Sequence, residues 1–148
     1  MPRLFGAFFL IIVSLRMSGQ KFSYQQLLDF TETILLKIGC SEKDAVIAAK
    51  VLVSADLRGI DSHGVARLSG YVRLWEAKRV NAKPEIKIIH ETPSTAVVDG
   101  DSGLGLVVAP FSMQVAIDKA KNAGTGWVSV QNSSHFGIAL QFFLSLFG

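Results

Sequence analysis

Apolar positions recur at helical spacing through the first half of the chain and shift to strand-like runs in the second. Ser23 followed by Gln26 forms a capping-box pattern, after which Leu27, Ile34, Leu35 and Ile38 share one helical face and Gly39 is placed to end the helix. Ser41 with Asp44 opens a second helix whose face is small and apolar (Ala45, Ala48, Ala49, Leu52, Val53). It is expected to run to about Arg58, where Gly59 interrupts it. Leu68, Val72 and Trp75 predict a third helix, and Pro84 marks a boundary. Beyond it, residues 85–90 and 94–98 read as strands, and Asp99-Gly100-Asp101-Ser102-Gly103 is turn chemistry. A helix is expected over 107–122, with Met113, Ala116, Ile117 and Ala120 on one face and Gly124 after it. Residues 127–130 then read as a short buried strand.

This pattern describes a mixed α/β (α+β) chain, with a helical N-terminal domain at 20–82 leading into an α/β unit at 83–139. The two ends differ from the middle. Residues 4–15 are an apolar run between Arg3 and Arg16, too short for a comfortable membrane span but similar to the core of a secretory signal. Two readings compete: residues 1–19 as an extension preceding a true start at Met17, which is favoured, or a signal peptide that would export the protein. A membrane anchor ranks last. At the other end, residues 140–148 are nearly all apolar, and a truncated or frame-shifted product fits them as well as a final core helix does.

Composition adds exclusions more than identity. Hydrophobic residues make up 49% of the 148, enough for a packed core. The net charge of +3 comes from scattered basic residues without aromatic interleaving, so no nucleic-acid footprint is expected. Cys40 is the single cysteine, which rules out a disulfide within the chain and reads as a free thiol near a helix end. Three separated histidines and one cysteine make no metal set.

Two segments concentrate chemistry. Arg58-Gly59-Ile60-Asp61-Ser62-His63-Gly64-Val65-Ala66-Arg67 places an imidazole, a hydroxyl, a carboxylate and two guanidinium groups between glycines. His63 can give or take a proton near neutral pH, and a capping or core histidine is the plain alternative. If a helix starts at about Gly64, one turn brings the planar fork of Arg67, suited to a carboxylate, near that imidazole. Ser62 can orient or relay to the histidine, while Asp61 can equally be a helix N-cap. Asn132-Ser133-Ser134-His135-Phe136-Gly137 follows a predicted strand, at the end where α/β proteins bind ligands. His135 there is either a ligand contact or a hydrogen-bonded turn residue. Gly100, Gly103 and Gly105 do not follow the G-x-G-x-x-G order and read as structural glycines that allow tight turns or close backbone approach. His90 is assigned no role.

Taken together, three motifs resemble one family: residues 55–67 (ADLRGIDSHGVAR), 98–105 (VDGDSGLG) and 126–137 (GWVSVQNSSHFG). Their order and spacing are similar to those of the malate/L-lactate dehydrogenases that lack the Rossmann fold. The resemblance implies a nicotinamide-binding domain of non-Rossmann topology, begun here but incomplete, and reversible reduction of a 2-oxo acid to a 2-hydroxy acid with NAD or NADP as cofactor. It implies His63 as proton donor supported by Ser62, and Arg67 as the carboxylate clamp. His135 would lie near both substrate and cofactor, with Phe136, Gly137, Ile138 and Ala139 along the cofactor. It further implies a small-molecule substrate, a homodimer for a full-length parent and a cytoplasmic location. Alternatives within the family are imino-acid and ureidoglycolate-type activities; outside it, a non-catalytic remnant serving as a binding or assembly module. Lys78 stands where relatives usually have glycine and Leu106 where a polar glutamine is common, and the pattern fades from Leu140.

Overall fold

The computed structural model describes residues 21–139, so the expectations for the two chain ends fall outside the described residues. Helix α1 (Tyr24–Lys37) begins with the reciprocal cap read from the sequence. The Gln26 N–H donates to Ser23 Oγ (3.2 Å) and the Ser23 N–H to Gln26 Oε1 (2.8 Å). Such a cap is worth about 1 kcal/mol. Gly39 takes the left-handed conformation (φ +99°) that ends the helix. Helix α2 (Glu42–Asp56) is capped by Ser41 Oγ, which accepts the Asp44 N–H at 3.1 Å. Ala45, Ala48 and Ala49 are buried in the core cluster, with Leu52 and Val53 fully buried in the same cluster. Cys40 is buried in this cluster; burial, helped by the Asp44 carboxylate, pushes its thiol up to about 11, so it stays protonated and unreactive at neutral pH.

Residues 61–67 do not start a regular helix at Gly64 as expected. Two single-turn 3-10 helices, Asp61–His63 and Val65–Arg67, precede α3 (Leu68–Glu76). After α3 the chain reverses through Lys78 at φ +56°, a conformation that costs a non-glycine residue about 1 kcal/mol.

The second unit is a three-stranded sheet. Strand β1 (Lys87–Glu91) pairs antiparallel with β2 (Thr95–Gly103), and β2 pairs parallel with β3 (Trp127–Ser133) through the crossover helix α4 (Gly105–Ala123). Ala96, Val98 and Gly100 alternate as the buried face of β2. The expected turn at 99–103 lies inside β2 as an irregularity, with Asp101 and Ser102 at φ +50° and +56°. Asp99 there accepts bonds from the Asp101 N–H, Gln131 Nε2 and Asn132 Nδ2, which hold its carboxyl below the usual range. Helix α4 begins two residues earlier than the sequence suggested and ends at Gly124 (φ +80°), as read.

A second expectation is corrected as well. The strand after Gly126 was expected to be buried, yet β3 is mostly exposed, Trp127 to 73%. Among the described residues only β2 pairs with it. The apolar side chains of α4 (Met113, Ala116, Ile117, Ala120) and of β3 face a groove of about 780 Å³ between them. Leu106 is fully buried in the core. Among the described residues, no helix is long and apolar enough to cross a membrane.

Candidate active site

The site is built where the turn after α2 meets the turn after β3. Asp56, the last residue of α2, accepts the Val65 N–H with Oδ2 at 2.8 Å. Gly64 packs directly against that carboxylate, and a Cβ at this position would collide with Asp56 Oδ1. Partial burial raises the Asp56 pKa above its ordinary value. The clasp folds residues 61–67 back over the end of α2. Asp61, considered as a helix cap, makes no capping bond.

Within this turn, Ser62 Oγ lies 2.9 Å from His63 Nδ1, and Arg67 Nε donates to the Ser62 carbonyl at 2.6 Å. Ser62 therefore ties both side chains to one point. His63 is half-buried, while Ser62 and Arg67 are exposed.

His135 arrives from the other unit, 72 positions further along (135 minus 63), and its ring centroid lies 5.4 Å from that of His63. The Ser134–His135 backbone is held against the start of α4. The Gly105 N–H donates to Ser134 Oγ at 2.9 Å, and a Cβ on Gly105 would lie 2.6 Å from the His135 carbonyl oxygen. His135 Nδ1 lies 2.8 Å from Tyr71 Oη and receives a longer bond from the Gly137 N–H at 3.3 Å. An amide can only donate, so this Nδ1 is the unprotonated acceptor, Tyr71 donates its hydroxyl proton to it, and the ring proton sits on Nε2. Burial first, then the nearby His63 and Arg67 charges, lower the His135 pKa, which keeps the ring neutral at neutral pH. Burial pushes Tyr71 up to about 12, opposed in part by Arg67, so its hydroxyl keeps its proton.

The remaining residues of the third motif divide by burial. Phe136 is 45% exposed, stacks on His135 with centroids 6.3 Å apart and lines the α4–β3 groove. Ala139 is exposed. Gly137 and Ile138 lie inside, with Gly137 (φ +83°) against Val51 and Leu106. His90 is on β1, paired with Val97.

Two residues of this site escaped the sequence reading. Tyr71 stands four positions after Arg67 on the same helical face, the spacing that could have flagged it. Asp56 contacts a residue nine positions away through an irregular turn, and no periodic signal reports such a contact.

Comparison with known proteins places the arrangement. Residues 22–146 match the family model described as malate/L-lactate dehydrogenase. The chain is 51% identical over 106 residues to an L-sulfolactate dehydrogenase of Methanocaldococcus jannaschii, covering 72% of this chain and 31% of that protein. It is 50% identical over 114 residues to a malate dehydrogenase of Pyrococcus abyssi, covering 77% and 32%. The solved structure of malate dehydrogenase from Pyrococcus horikoshii superposes with a TM-score of 0.83 at 47% identity, over 85% of this chain and 36% of that one. The chain thus spans about a third of the length of the relatives it matches. In sequence and in fold, it belongs to the malate/L-lactate dehydrogenase family.

Proposed function

We propose that this chain carries the substrate and proton-transfer part of a nicotinamide-dependent oxidoreductase that interconverts a 2-oxo acid and a 2-hydroxy acid. The observation that carries the reading is the convergence of His63, Arg67, Tyr71 and His135 from the two units. These are the groups that reduction of a carbonyl beside a carboxylate requires.

Each side chain has one face committed to the protein and another left for substrate. Arg67 uses Nε on the Ser62 carbonyl, so its two terminal nitrogens can grip the substrate carboxylate in a fork. His63 uses Nδ1 on Ser62, so Nε2 is the atom that gives a proton to the carbonyl oxygen. As an imidazolium it also stabilises the negative charge growing on that oxygen. His135, neutral and protonated on Nε2, donates a hydrogen bond to the substrate and holds one tautomer because Tyr71 fills Nδ1. In the reverse direction His63 takes the proton from the hydroxyl. The clamp fixes the carbonyl face that is presented, and this positioning lowers the barrier in its own right.

A nicotinamide, when bound, supplies the hydride to the carbonyl carbon. The residues present fit such a ring: the exposed Phe136 face is flat and apolar, lies beside His135 and opens onto the α4–β3 groove. His135, Phe136 and Ala139 would line it, with Gly137 and Ile138 anchoring that stretch from beneath. NAD and NADP both meet this description. The enclosing protein is read as a homodimeric cytoplasmic enzyme.

The test is oxidation of NADH and of NADPH by the purified chain on addition of single 2-oxo acids. Cofactor consumption that depends on the 2-oxo acid is expected. Equal rates with 2-oxo acids and with simple ketones that lack the carboxylate would sink the reading.

A further inference from the structure

Stability alone does not favour a carboxylate at Asp56. It is the last residue of α2, where a negative charge opposes the helix dipole, and the last turn of that helix holds no basic residue to offset it. Its side chain is half-buried and feels the like charge of Asp61. The two ion pairs among the described residues, Lys87–Glu85 and Lys119–Glu91, leave it out, and Arg58, two residues on, donates Nη1 to the Ser54 carbonyl instead. What its oxygens hold is the turn that carries His63. Within that turn the bonds are local: the His63 N–H donates to the Ile60 carbonyl (2.9 Å), the Gly64 N–H to Asp61 (3.2 Å) and the Arg67 N–H to Gly64 (2.9 Å). The Val65 N–H reaches back to α2, at Asp56 Oδ2, and Gly64 lies against the other carboxylate oxygen. The Val65 side chain packs on the core, so an apolar contact seats the turn and the Asp56 bond orients it. His135 is fixed separately, through Tyr71 Oη and through the Ser134–Gly105 bond.

We infer that Asp56 is a positioning residue of the site: by holding the Val65 N–H it sets where His63 and Arg67 stand relative to His135. Ser62 ties His63 and Arg67 to one point, so the two move together when the turn moves. Without the Asp56 bond, an acid gripped by Arg67 keeps its contact with His63 and loses its contact with His135. Small displacements of this kind are costly, because a reacting group held slightly out of place forfeits much of the benefit of being held at all. The effect on bound acid rests on the reading of Arg67 as the carboxylate clamp; the spacing of the two rings, with centroids 5.4 Å apart, does not.

The experiment compares Asp56→Ala and Asp56→Asn with the unaltered chain, following the imidazole ring protons of His63 and His135. Alanine removes the acceptor, whereas asparagine keeps an oxygen for the Val65 N–H and removes the charge. Asp56 is half-buried and makes one side-chain bond, so both variants are expected to fold, and Asp56→Asn to unfold at no lower temperature than the unaltered chain. A nuclear Overhauser effect between the two rings is expected in the unaltered chain and in Asp56→Asn, and its loss in Asp56→Ala. On addition of 2-oxobutanoate, Asp56→Ala is expected to keep the His63 shift and lose the His135 shift, with Asp56→Asn restoring both. An alanine variant that keeps the ring-to-ring effect overturns the inference, and so does its loss in both variants with Tm lowered in both, which would make the carboxylate a support of the fold alone. If 2-oxobutanoate shifts neither ring of the unaltered chain, the 2-oxo acid reading falls, and the ring-to-ring effect still decides the role of Asp56.

Discussion

Replacing His63 with alanine is expected to lower kcat about a thousandfold, within the range that a positioned general acid contributes. The loss should fall on kcat more than on KM, because the imidazole acts on the charge that forms as hydride arrives and little on the bound ground state. The split between kcat and KM separates this role from mere packing. His135 cannot replace the lost donor. Its Nδ1 is occupied by Tyr71, and burial lowers its pKa, which disfavours the charged ring. Folding is not at stake, since His63 is only half-buried and its side chain is bonded to Ser62 alone. An alanine variant retaining more than about a tenth of the rate would move the proton donor elsewhere.

A large effect on stability is expected at Gly105. A side chain there meets the backbone of Ser134 and His135, and backbone cannot rotate out of the way as a side-chain tip can. Gly105→Ala should destabilise by about 3 kcal/mol, the upper part of the range for overpacking, and lower Tm by roughly 10 °C. It should also push the His135 segment away from His63 by prising the Ser134 hydroxyl off the Gly105 N–H. Gly70 is the internal control. It sits in α3 with open space around its Cα, so Gly70→Ala should be neutral or stabilise by about 0.5–1 kcal/mol through helix propensity. Thermal unfolding of the two variants in parallel decides the matter. Equal small shifts would mean that the close contact at Gly105 relaxes cheaply.

How much of this was legible in the sequence differs by element. Local signals were read correctly where a short stretch decides the outcome, as with the caps at Ser23 and Ser41 and the stops at Gly39 and Gly124. Gly105 was legible as a structural glycine, but the backbone it must avoid lies 29 positions away, and its partner could not be named. The turn carrying Ser62, His63 and Arg67 was expected to enter a helix at Gly64. Instead Asp56 reaches back to the Val65 N–H, and the chain makes two short 3-10 turns before α3 begins. A bond from a helix end into an irregular loop has no period to detect. The strand at Trp127 misled for a different reason: an apolar run reports that burial is needed, not which partner provides it. The site was legible as two separate motifs, and their approach to 5.4 Å was not. That approach depends on α4 returning β3 alongside β2, so that its end reaches the α2 turn.

The central claim is that these two motifs make one site for a 2-oxo acid, and the imidazole proton signals of His63 and His135 test it most directly. On addition of 2-oxobutanoate to the chain, both rings should shift along a single binding curve, and Arg67→Gln should weaken that curve about tenfold or more. Shifts at only one histidine, or a midpoint indifferent to Arg67, would contradict the account.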